Sequence, residues 1–135
     1  MESISLEDAR RVIAAAEKKA EEIDCPMDIA VVDAGGNLKA FARMDESFVG
    51  SIGISIDKAW TSIAFKCRTA DLAPLTQSGE SIFGLNTTNS GRVIIFGGGV
   101  PLVRDGNIVG AVGVSTGTVD QDMEVAEAGA AAFGQ

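Results

Sequence analysis

Residues 28–43 read DIAVVDAGGNLKAFAR. The apolar run at 28–33 suits a buried strand. Ala34-Gly35-Gly36-Asn37 is turn chemistry, because glycine adopts positive φ at little cost. Residues 38–43 then return as a second strand, so the stretch predicts a hairpin. A second hairpin signal, Asp105-Gly106-Asn107, lies between VPLVR (100–104) and IVGAVGVS (108–115). Two hairpins without regular βαβ alternation predict a largely antiparallel sheet covered by helices, an α+β layout.

Helical periodicity flanks these strands. Leu6, Ala9, Val12, Ile13, Ala16, Ala20 and Ile23 recur at spacings of three and four. Ser5 fits the N-cap of that helix, and Cys25-Pro26 ends it. A second helix is predicted from about 50 to 68, with Ile52, Ile56, Ala59, Trp60, Ile63 and Cys67 on one face. Residues 69–91 read as short helical or irregular pieces, with a polar loop at 86–91. RVIIF (92–96) reads as a further strand before Gly97-Gly98-Gly99. A last helix runs from Thr118 to Phe133. Thr118 and Gln121 have capping-box spacing, and Asp120, Asp122 and Glu124 sit in the first turn, which the helix dipole favours.

At 135 residues the chain is of one-domain size, so 1–135 is expected to be a single domain. Its net charge is -8, and its basic residues form no stripe. That argues against nucleic acid and anionic membrane as partners. No basic start leads into an apolar run, and no stretch approaches bilayer-spanning length, so a cytoplasmic protein is expected. Cys25 and Cys67 are expected to be reduced. Histidine and tyrosine are absent. Their absence removes the usual imidazole and phenolate haem ligands, His-based zinc sites and Ser-His or Cys-His catalytic pairs. No metal site is expected.

Several motifs together resemble the GlcG/HbpS-like (haem-degrading-type) family over about residues 5–133. They are Ala30-Val31-Val32-Asp33-Ala34-Gly35-Gly36, Ala42-Arg43-Met44-Asp45, Asp57-Lys58-Ala59, Phe96-Gly97-Gly98-Gly99-Val100-Pro101-Leu102, Gly110-Ala111-Val112-Gly113-Val114-Ser115 and Asp120-Gln121-Asp122 with Val125-Ala126. The resemblance implies a profilin-like fold with a five-stranded antiparallel sheet flanked by helices. It also implies assembly into homo-oligomers, tetramers or octamers, and a small-molecule ligand of haem or corrinoid type. Some members are fused to a corrinoid adenosyltransferase. Where members often carry His after the Asp-Ala-Gly-Gly turn, this chain has Asn37, which does not replace imidazole on iron.

The glycine triplet, with Pro101, is the sharpest candidate ligand site: bare backbone amides can cradle a carboxylate or phosphate. Equally, three glycines can make a bend between strands. Arg92 and Arg104 bracket the loop and would hold an anion between them if their strands were adjacent. Asp33 could act as a general base or could cap its own turn. Lys58 could act on a carboxylate or carbonyl if desolvated, or sit on a solvated helix face or in an ion pair between subunits. Cys25, Cys67, Met27, Met44 and Met123 are the soft donors available to iron. The Ala-rich last helix and Gly50 and Gly53 would allow close packing, against another copy or within the subunit.

The leading reading is a homo-oligomeric binding protein whose anionic or tetrapyrrole-like ligand lies near Gly97–Gly99. An alternative is a small-molecule lyase, isomerase or hydrolase using Asp33, Lys58 or the carboxylates of the 120s. A third is an accessory protein without ligand chemistry.

Overall fold

The structure, a computed structural model, describes residues 2–134. Its elements are α1 (Leu6–Glu22), β1 (Asp28–Asp33), β2 (Leu38–Arg43), α2 (Gly50–Phe65), α3 (Thr69–Leu72), β3 (Gly99–Arg104), β4 (Asn107–Ser115) and α4 (Val119–Phe133). Short 3-10 turns fill much of the segment between α3 and β3. The four strands form one antiparallel sheet in the order β2-β1-β4-β3. Both predicted hairpins are present, and they are joined through β1 and β4 at the sheet centre.

Among the described residues the expected fifth strand is absent. Residues 92–96 lie against α2 instead, where the Ile94 N–H donates to Thr61 Oγ1 at 3.1 Å and Val93 is buried. Gly98 turns the chain at φ 129° immediately before β3, so the apolar run cannot continue into the ladder. Pro101, which lacks an N–H, is accommodated because β3 is an edge strand.

Sequence periodicity explains the helices on one face. Ser5 Oγ accepts the Asp8 N–H at 3.0 Å, and α1 buries Ala9, Val12, Ile13, Ala16 and Ala20. These residues share a core with Ile29 and Val31 of β1, Val112 and Val114 of β4, and Val125 and Ala126 of α4. Gly129 lets α4 approach the Val12 carbonyl of α1, so the small residues of the last helix pack within the subunit. Thr118 and Gln121 form the expected capping box. Thr118→Ala is expected to cost about 1 kcal/mol, read as a lower midpoint in urea unfolding.

The other face inverts the expectation. α2 fully buries Ser51, Ser55, Lys58, Ala59, Thr61 and Ser62, and leaves Ile52, Ile56, Trp60 and Ile63 only half-buried. The reason lies in the strands beneath it. They offer Ala111, Gly113 and Ser115, and Gly113 brings β4 against the Ser55 carbonyl and Ala59 amide of the helix. At such a backbone-to-backbone separation only small side chains fit in between, and the larger apolar ones are displaced sideways.

Candidate functional site

The glycine triplet sits at the end of the sheet where β3 begins and β4 ends, between α2 and α4. Each glycine is there because something occupies the space a side chain would need. A Cβ at Gly97 would meet Met123 Sδ and Val119, one at Gly98 would meet Lys58 Nζ and the Val114 carbonyl, and one at Gly99 would meet the Lys58 carbonyl and Thr69. The loop's polar groups are partly used as well. The Gly99 N–H donates to Thr69 Oγ1 at 2.9 Å, and the Gly98 carbonyl accepts the Val114 N–H at 2.9 Å. Beside Gly99, the buried Ser62 hydroxyl has no hydrogen-bond partner among the described residues.

Lys58 lies beneath this loop at 0% exposure, which overturns the solvated-face expectation. Its ammonium donates to Asp122 Oδ2 at 2.9 Å and to the Val114 carbonyl at 2.8 Å, and lies 5.0 Å from the centre of the Phe96 ring. Asp122 in turn accepts the Gly117 N–H through Oδ1 at 3.0 Å. The ion pair thus ties α2 and α4 to the end of β4. Burial pushes Lys58 below the usual lysine range, against the pull of Asp122. Burial likewise pushes the Asp122 carboxyl up, against the pull of Lys58. Sequence reasoning placed Asp122 in a capping turn and missed this partnership. The signal for it was the pair of glycines, 98 and 113, that make room for α2 and its lysine.

The remaining candidates do not converge on the loop. Asp33 Oδ1 accepts the Gly35 and Asn37 N–H groups at 3.0 Å each, capping the β1–β2 turn. Arg92 stacks over Trp60 and pairs with Asp57 at 3.0 Å on the α2 side. Arg104 stacks over Phe133 and pairs with Glu2 and Asp8 on the α1–α4 side. The two arginines therefore lie on opposite faces of the sheet and hold no common anion between them in this chain.

Two apolar side chains beside the loop are exposed. Phe96 is 40% exposed and Val119 is 42% exposed, and a Cβ at Gly97, the residue after Phe96, would lie 3.1 Å from Val119 Cγ1. Past the β4–α4 turn lies a cleft of about 460 Å³ bounded by Cys25, Pro26, Phe48, Thr116, Thr118 and Gln121. Thr116 holds φ at 127°, a strained value for a β-branched residue, while its hydroxyl donates to Asp28 at 3.3 Å and accepts the Phe48 N–H at 3.2 Å. The second oxygen of Asp28, fully buried, has no partner among the described residues. Among those residues no cluster of three His, Cys, Asp or Glu side chains is placed to hold a metal ion, and no helix is long and apolar enough to cross a membrane.

The family model described as "Haem degrading protein HbpS-like" matches residues 4–131. A 15.0 kDa protein from the dhaT-dhaS intergenic region of Citrobacter freundii is 45% identical over 125 residues, covering 93% of this chain and 88% of that protein. The corrinoid adenosyltransferase PduO of the same organism is 38% identical over 131 residues, 97% of this chain but only 39% of PduO. A crystal structure of a PduOC:Heme complex superposes with a TM-score of 0.93 at 35% identity, covering 96% of this chain and 94% of that one.

Proposed function

This chain belongs to the HbpS-like family, and from that membership we propose that it is a small-molecule-binding protein whose ligand is a tetrapyrrole of haem or corrinoid type. The observation that carries the reading is the likeness to the PduOC:Heme complex, which extends over nearly the whole of both chains. The relationship to a corrinoid adenosyltransferase points to the same class of macrocycle. This chain's own contribution is the exposed apolar ledge of Phe96 and Val119 beside Gly97. A flat ring laid there removes apolar surface from water at about 25 cal/mol per Å². The loop beneath is held in place by Lys58 and Thr69, so the ledge is formed before a ligand arrives.

The exposed apolar surface supports the reading; the usual imidazole and phenolate ligands of haem iron do not. No imidazole or phenolate exists in the chain, Met27 is buried, and the Cys25, Met44 and Met123 sulfurs are engaged.

Haemin titrated into the protein is expected to give a saturable change in the Soret band with quenching of Trp60, the only tryptophan. No saturation by roughly tens of micromolar, a free energy weaker than about -6 kcal/mol, would remove the proposal.

Family membership also supports a homo-oligomer. Gly50 and Gly53 have nothing within 4 Å of where a Cβ would stand, which leaves the start of α2 open to close approach by a second copy. An acid–base enzyme is the reading that Lys58 and Asp122 would favour, since shifted pKa values gather at active sites. In this chain the lysine's protons are taken by Asp122, Val114 and the Phe96 ring, an arrangement that holds the fold together.

A further inference from the structure

We infer that the end of the sheet where β1 begins and β4 ends is a second binding site, and that its ligand is a linear organic polyamine. The site goes beyond the tetrapyrrole reading and does not depend on it.

Two clefts adjoin there. One is the cleft of about 460 Å³ past the β4–α4 turn, and the other, of about 410 Å³, continues it along the end of α1. Asp24, Cys25, Pro26 and Glu46 border both, so the two form one groove. The charged residues that line it are Glu21, Asp24, Asp45 and Glu46, with no lysine or arginine. Among the described residues none of these four carboxylates has an ion-pair partner. A concave surface of one sign concentrates ligands of the other.

A second observation lies behind the groove wall. Asp28 is fully buried at the first position of β1, two residues after Pro26. Its Oδ1 accepts the hydroxyl of Thr116, itself part of the wall, at 3.3 Å. Oδ2 of the same carboxyl group has no donor among the described residues. Arg43, opposite Asp28 in the β1–β2 ladder, donates instead to the Ser47 carbonyl at 3.4 Å. A buried carboxylate oxygen without a donor is costly, and a ligand that brings an N–H to it recovers that loss. Between Oδ2 and the groove stand Thr116, in its strained conformation, and the 63%-exposed Phe48.

The buried oxygen calls for a donor and the groove for positive charge, and an alkylammonium is both. The carboxylates are spread along the groove, and among the described residues no three are placed to hold one metal ion. A ligand that matches them carries its charge at intervals along a chain. Pro26 and Phe48 offer apolar surface to the methylenes between.

The test titrates spermidine into the full chain by calorimetry at fixed ionic strength. Saturable binding with Kd below about 1 mM is expected, and magnesium chloride at the same concentration should not match it. Asp24→Asn with Glu46→Gln changes two exposed side chains and should weaken binding by about tenfold or more. Glu7→Gln with Glu80→Gln makes the same change in net charge away from the groove and should alter the affinity by less than about twofold. Asp28→Asn should also weaken binding, and if that variant does not fold, the groove variant decides. No saturation by about 10 mM overturns the inference. So does an equal loss in the two double variants, or magnesium binding as tightly as spermidine, since either means diffuse attraction to an acidic protein. A folded Asp28→Asn protein with unchanged affinity overturns it as well.

Discussion

Lys58→Ala is expected to lower the unfolding free energy by about 3–5 kcal/mol, because it leaves the buried Asp122 carboxylate without its counter-ion. In a chain of this size each kcal/mol corresponds to roughly 3–5 °C, so the melting temperature should fall by about 10 °C or more. The double variant Lys58→Met with Asp122→Leu tests the cause. It removes both charges and keeps apolar volume between α2 and α4, so much of the lost stability should return. A single variant that loses less than about 1 kcal/mol would mean that the pair is dispensable.

The pair also has a pH signature. The folded-state pKa of Asp122 is raised, so its contribution to stability is present below the usual carboxylate range and is lost as pH rises through the raised value. That of Lys58 is lowered, so its contribution is present above the usual lysine range and is lost as pH falls through the lowered value. Relative to the double variant, the wild type should therefore be least favoured at intermediate pH and gain toward both ends. Urea unfolding of the two proteins across pH measures this directly. A wild-type advantage that peaks at neutral pH would show that attraction within the pair outweighs its desolvation.

Gly113→Ala is expected to cost about 3 kcal/mol or more, at or beyond the upper end of ordinary overpacking. The added methyl would run into the Ser55 carbonyl and the Ala59 amide of α2. Those atoms are backbone in the middle of a helix, so no rotamer change relieves the contact. The helix must lift off the sheet, and it would take Lys58 away from Val114 and Asp122. Gly53→Ala is the matched control. It lies on the same helix with nothing within 4 Å of the new methyl. In the isolated subunit it should stabilise by about 0.5–1 kcal/mol through reduced backbone freedom. Opposite signs from the same chemical change, measured by thermal or urea unfolding, would establish how closely α2 sits on β4. A neutral Gly113→Ala would show that the two elements have room to separate.

How far the site could be read from sequence follows from the range of the interactions that build it. The capping of α1 by Ser5 and of α4 by Thr118, and the turn capped by Asp33, involve residues within four positions of one another. Local patterns of that kind are visible in a linear chain. Lys58 and Asp122 stand 64 positions apart, and neither has a neighbour in sequence that announces the other. The strand expected at 92–96 failed for a related reason: Val93 is buried, but the segment lies against a helix instead of a strand partner, and Phe96 at its end is exposed. Periodicity reports that a residue is buried, not what buries it.

The sequence by itself therefore determined the α+β class, both hairpins, the helix caps, the absence of imidazole and phenolate ligands, and the family resemblance. Only the tertiary structure decided that the sheet has four strands, that α2 buries its serines and its lysine while its isoleucines stand half-exposed, and that the glycine loop is packed against Lys58 and Met123. The physical reason is that the glycines of β4 and of the loop set the distance between layers. That distance, which no single segment encodes, selects which side chains fit inside.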